Sequence, residues 1–186
     1  MNFFEIQSDI HVWQHTNFGD GKPRHAMLGI GEESGELFHA VLKMSQGIRG
    51  DQQSHFAEIR DAVGDIIVYT VDFARRSGLG MLDFPFSLME KIIPAGTTSD
   101  YHEYRAFHVG VSAGILAQHF EPYFFLDAMP HVEGRVVLRE NIWALMQSLA
   151  YFCNGLGLSF ESCIEETVAH VLKRDWTKNK TDGIQS

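Results

Sequence analysis

The stretch LGIGEESGELFHAVLK, residues 28–43, decides the fold class. Read at about 100° per residue, it is one face of a helix: Glu33 and Glu36 lie roughly 60° apart, and Glu32 and Glu36 roughly 40° apart. All three acids share a side with the edge of the apolar stripe that carries Leu37 and Ala40. A second stretch, EIRDAVGDIIVYTVDFARR at residues 58–76, repeats the arrangement. Glu58, Asp61 and Asp65 are spaced by three and four and fall within an arc of roughly 60°. Two such helices, antiparallel and facing each other, bring up to six carboxylates together.

Carboxylates crowded beside an apolar stripe raise one another's pKa, and unpaired they cost several kcal/mol in a bundle interior. A hard divalent cation removes the conflict. Oxygen-only donors point to Mg2+, with Mn2+ as a substitute, and Mg2+ commonly takes substrate phosphates as further ligands. Glu36 and His39 form an ExxH, the spacing used by di-iron bundles, but the second ExxH that such a site needs is missing. Glu166 and His170 stand four apart.

Outward from these stretches the period stays helical. Ile6, Ile10 and Trp13 predict a first helix near residues 3–16, and the Gly, Asp and Pro content of 17–23 predicts a loop. Further helices are expected over 25–44, 55–76, 84–93, 101–120, 135–154 and 160–175, with 47–54 and 97–100 as polar connections. Gly47 is placed to end the second helix in a left-handed conformation. Strand alternation is scarce. The expected class is all-α, an antiparallel helical bundle, with one half at 1–95 and another at 96–186 packed as a single unit.

The halves are related by a gapless displacement of 79 residues. Gly31 falls on Gly110, Gly35 on Gly114, Leu37 on Leu116, Arg60 on Arg139, Phe73 on Phe152 and Gly78 on Gly157. The second copy keeps this skeleton and drops the acids: Glu32, Glu33 and Glu36 fall on Val111, Ser112 and Ile115, and Asp65 on Ala144. Acids confined to one copy imply a task beyond packing.

Composition bounds the function. A chain of 186 residues, 45% hydrophobic, buries a real core. Its net charge of −9 argues against a grip on a nucleic-acid polymer, which needs a basic surface. Cys153 and Cys163 form no CxxC and are expected to be reduced, buried and inert. The start, MNFFEIQSDIHVW, has no basic segment followed by an apolar run, and no window reaches the roughly 20 apolar residues of a membrane span. The expected compartment is the cytoplasm.

The run from Gly31 to Leu37, followed by an acidic third helix, resembles the MazG-like superfamily of all-α nucleoside triphosphate pyrophosphohydrolases, which includes the dimeric dUTPases and the dCTP pyrophosphatases. Also similar are Trp13 with Asn17 and Phe18 ahead of the motif, residues 46–50 after it, residues 64–69, and Lys173, Arg174, Asp175 and Trp176 with Asn179 and Gly183. The resemblance covers residues 1–93 and part of 160–183. It implies an enzyme that converts a (d)NTP to the monophosphate and pyrophosphate, in nucleotide metabolism or pool cleaning. Glu33, Glu36 and Asp65 would be metal ligands, and Glu32 a ligand or a water-orienting base alongside Glu33. Where the family pattern has its remaining glutamate this chain has Ala62, so either Asp61 or Glu58 stands in. Lys43, Arg49, Lys173, Arg174 and Lys178 are the candidate phosphate cations. Trp13, Asn17, Phe18, Tyr69 and Asn179 complete the expected substrate contacts. Such sites are commonly built by pairing units, so a homo-oligomer is one expectation; the acid-free half standing in for the partner is the other. The rival reading is a non-catalytic module that senses nucleotides or a partner protein.

Overall fold

The computed structural model describes residues 3–83, 99–126 and 130–184. It is all-α: α1 (Phe3–Phe18), α2 (Pro23–Gln46), α3 (Gln52–Arg76), α4 (Ser99–Phe120), α5 (Val132–Gly155) and α6 (Phe160–Val171), with a 3-10 turn at Glu121–Tyr123. No strand occurs among the described residues, and no helix there is long and apolar enough to cross a membrane. The helix expected over 84–93 lies outside the described residues.

Local chemistry sets the ends of the acidic helices. Pro23 opens α2, where its missing N–H costs nothing. Gly47 closes it at φ 63, its N–H on the Met44 carbonyl and that of Ile48 on the Lys43 carbonyl. Asp51 caps α3, its carboxylate accepting from the Ser54 N–H at 2.8 Å.

α2 and α3 pack along their length as a hairpin, and α4 and α5 form a second. The hairpins meet through α2 and α4, and their apolar faces join one core. Within it Phe73 of α3 meets Phe120 of α4 edge to face, centroids 4.9 Å apart. α6, although it follows α5, lies mainly against α3. Gly64 permits that approach, because a Cβ there would stand 1.9 Å from the Thr167 hydroxyl. The 79-residue displacement carries Glu33 and Tyr69 onto Ser112 and Ser148, whose hydroxyls lie 2.8 Å apart. Both cysteines are free and buried.

The last helix stops short of the expected 175. It ends at Val171, and the chain turns back onto the end of α1. The Trp13 indole N–H donates to the Arg174 carbonyl at 2.8 Å, and the Trp176 N–H donates to the Asn17 side chain at 2.7 Å. A helix running on would carry Arg174 and Trp176 away from α1; these two bonds fold them over it.

The close approach of α6 to α3 at Gly64 gives a test of this packing. Gly64→Ala should destabilise the protein by about 1–3 kcal/mol through overpacking against Thr167, measured as a lower urea midpoint with an unchanged slope.

Candidate functional site

Where α1, α2, α3 and the tail converge they enclose a cavity of about 510 Å³. α1 contributes Trp13, Gln14 and Phe18; α2 contributes Glu33; α3 contributes Asp65, Tyr69, Asp72 and Arg76; the tail contributes Arg174 and Trp176. Three aromatic rings stand in series, Trp13 on Phe18 edge to face at 5.6 Å and Phe18 beside Trp176 at 6.4 Å. Phe18 is 53% exposed, which sets it at the rim. Tyr69 lies flat against α2 because position 29 is glycine; a Cβ there would be 2.4 Å from its ring.

The acids on the α2–α3 wall repel one another. Glu33 is half-buried, and loss of hydration, followed by the charges of Asp65, Glu36, Glu32 and Asp61, pushes its pKa up to about 8. Burial and the charge of Asp61 raise Asp65 to about 6, with Glu36 adding to the effect and Arg174 opposing it. Burial, then Glu33, lifts the Tyr69 phenol to about 12. The two helices thus hold negative groups together at a cost, which is the electrostatic condition a bound cation relieves.

Glu33, Asp65, Trp13, Phe18, Tyr69 and Arg174 therefore share one cavity, with Glu32, Glu36 and Asp61 within electrostatic reach. Of the two substitutes for the missing glutamate, Asp61 is the one whose charge acts on Glu33 and Asp65; Glu58 turns toward His55, 3.5 Å away. The other expected contacts lie elsewhere. Lys43 bonds Gln46 at the end of α2, and Arg49 sits in the α2–α3 loop at φ 64. Lys178 pairs with Asp175 at 2.9 Å, Asn179 bonds the Ile184 carbonyl, and Lys173 lines a separate groove outside α1. Asn17 acts through the chain, bonding Trp176 and the Trp13 carbonyl.

Among the described residues, no three His, Cys, Asp or Glu side chains stand as a closed metal-binding group. The donor chemistry nonetheless fits a hard cation. Every donor is a carboxylate oxygen, and Glu32, Glu36 and Asp61 are exposed, leaving their rotamers free to swing toward an ion.

Sequence reasoning passed over Gln14, Arg76 and His25, which also line the cavity. Gln14 was legible as a polar residue on the buried stripe Phe3, Ile6, Gln7, Ile10, Gln14 of α1. Arg76 offered no such signal, since a terminal arginine of a long helix ordinarily meets solvent. Compared with known proteins, the chain matches no family model, no curated protein and no solved structure.

The raised carboxyls make stability pH-dependent. Glu33 and Asp65 hold their protons more tightly folded than unfolded, so their contribution is most favourable below their ordinary pKa values. It is lost as the pH climbs through about 6 and about 8. The melting temperature should fall between pH 5 and pH 8.5, and Glu33→Gln should flatten that fall and raise the melting temperature at pH 8.5 by a few degrees. Millimolar Mg2+ should raise it for the native chain at pH 8.5 and not for the variant. Thermal scans followed by circular dichroism read all three.

Proposed function

We propose that this chain is a Mg2+-dependent nucleoside triphosphate pyrophosphohydrolase, converting a (d)NTP to the (d)NMP and pyrophosphate in the cytoplasmic nucleotide pool. The observation that carries the reading is the placement of Glu33 and Asp65 on the wall of a cavity otherwise built from Trp13, Phe18, Tyr69 and Trp176. Negative groups awaiting a cation and flat apolar walls in one enclosure match the two ends of a nucleotide. The sequence resemblance to the MazG-like group points the same way.

Glu33, Glu36, Asp61 and Asp65 would hold Mg2+, which when bound neutralises phosphate charge and lowers the pKa of a coordinated water. Glu33 is the preferred base over Glu32, because it lines the cavity and is half-buried whereas Glu32 is exposed. Its carboxylate, ionised above about pH 8 or at lower pH once a cation lies beside it, would take a proton from water as the water oxygen bonds to the α-phosphorus. The α–β anhydride bond breaks and its electron pair leaves with pyrophosphate. Arg174, held over the cavity by the bond from Trp13, meets the outgoing charge. Acids and arginine come from the same chain, so this reading needs no partner subunit and leaves homo-oligomerisation as a separate question.

One observation favours the second reading, a nucleotide-sensing module without turnover: among the described residues the carboxylates do not form a closed ligand group. A pyrophosphate-release assay with Mg2+ and a panel of NTPs and dNTPs separates the two. The enzyme reading expects release from at least one nucleotide, a drop in kcat of about 10²–10⁴-fold in Glu33→Gln, and loss of turnover in Glu36→Gln with the fold unchanged. No release from any nucleotide, together with a nucleotide-dependent rise in melting temperature, would leave the sensor.

A further inference from the structure

The inner wall of the cavity carries polar groups that the hydrolysis does not use. Two glutamines lie on the buried face of α1, seven residues apart. Gln7 is fully engaged, its Oε1 accepting from the Leu82 N–H at 2.7 Å and its Nε2 donating to the Leu82 carbonyl at 2.8 Å. Gln14, 3% exposed, lines the cavity with its Oε1 buried and without a hydrogen-bond partner. A buried amide oxygen without a partner is destabilising, so a packed core would favour a leucine or methionine there.

Across the same cavity stands Arg76. Its side chain is 5% exposed, and its Nε donates to Asp72 Oδ2 at 2.6 Å. Arg75 approaches the other Asp72 oxygen at 3.4 Å, so the carboxylate is occupied from both sides. On its far side Arg76 is accommodated by Gly21, where a Cβ would lie 2.2 Å from Nη1. Gly21 has no left-handed φ to explain its identity; the room it leaves for the guanidinium does. Arg76 Nη1, held between Asp72 and Gly21, is buried and has no acceptor.

Gln14 and Arg76, each carrying a buried polar atom without a partner, thus line the same cavity as the rings of Trp13, Phe18, Tyr69 and Trp176. We propose that Arg76 and Gln14 read the hydrogen-bonding edge of a nucleobase, Arg76 donating to a carbonyl oxygen or ring nitrogen and Gln14 accepting from an N–H, while Asp72 acts as the positioning residue for Arg76. This rests on the nucleotide reading of the cavity and adds to it: selectivity among nucleotides lies at this inner wall, away from the acids.

The test uses nucleosides alone in EDTA, so that neither metal nor turnover enters. Binding is followed by quenching of Trp13 and Trp176 fluorescence in a Trp143→Phe background, for uridine, cytidine, guanosine and adenosine. Each is paired with its edge-blocked counterpart: 3-methyluridine, N4,N4-dimethylcytidine, 1-methylguanosine or N6,N6-dimethyladenosine. At least one parent nucleoside should bind at least about tenfold more tightly than its blocked form. Gln14→Met should erase that difference without lowering the melting temperature, and Arg76→Lys should reduce it. Should Arg76→Lys fail to fold, Gln14→Met decides alone. Equal binding of parent and blocked forms, no nucleoside binding, or a difference that survives Gln14→Met would overturn the proposal. Selective nucleoside binding without pyrophosphate release in the separate Mg2+ assay would sink the hydrolase and keep this wall; release without edge discrimination would do the reverse.

Discussion

The repulsion between Glu33 on α2 and Asp65 on α3 is the constraint around which the molecule is arranged. Neither group is in a place it would choose on electrostatic grounds: Glu33 is partly withdrawn from water and faces the charge of Asp65, and Asp65 is partly withdrawn from water and faces that of Asp61. They stay because the helices carrying them are fastened elsewhere. Ile30, Leu37, Ile59, Ile66 and Ile67 are buried along the contact, and both ends of the connecting loop are capped. Burial of such side chains is worth about 1.5–3 kcal/mol each, ample to hold a pair of like charges near one another. Apolar packing thus holds the hairpin closed against the cost of withdrawing these carboxylates from water.

The rest of the first half serves that hairpin. α1 brings aromatic rings to its open side, and the tail returns to complete the enclosure. That return depends on two bonds from α1, the Trp13 indole to the Arg174 carbonyl and the Asn17 amide oxygen to the Trp176 N–H. Residues distant in sequence by most of the chain thereby become wall and cation of one cavity. Trp13 and Asn17 matter as much for holding the tail as for any contact with a ligand.

This explains what the sequence could and could not disclose. Helices α2 and α3 were readable because their acids and their apolar residues follow the same period, and that period fixes which carboxylates converge. Trp13, Phe18, Tyr69 and Arg174, candidates from the sequence, line one cavity in the structure. Lys43 and Lys178 are candidates by charge, and Arg49 and Lys173 by charge and resemblance, but neither gives a direction; their positions depend on how loops and tail turn. The end of α6 was misjudged for the same reason, since local helix propensity extends past Val171 and only the bonds to α1 stop it. Gln14 and Arg76 stayed hidden because their meaning lies in hydrogen bonds they lack, and a missing partner is a property of the folded enclosure.

The second hairpin lacks the acids of the first. At the positions matching Glu33 and Tyr69 it places Ser112 and Ser148, which satisfy one another across α4 and α5 at 2.8 Å. Where the first hairpin has Glu32 and Glu36, it has Val111 and Ile115. Exchanging Glu33 and Tyr69 for a mutually bonded pair of hydroxyls, and Glu32 and Glu36 for apolar residues, removes the like-charge repulsion. α4 then packs on α2 and shares its core, through Phe120 on Phe73, without competing for a ligand. The two hairpins thus divide the physical work: one carries the crowded carboxylates, and the other contributes apolar packing to the core they share.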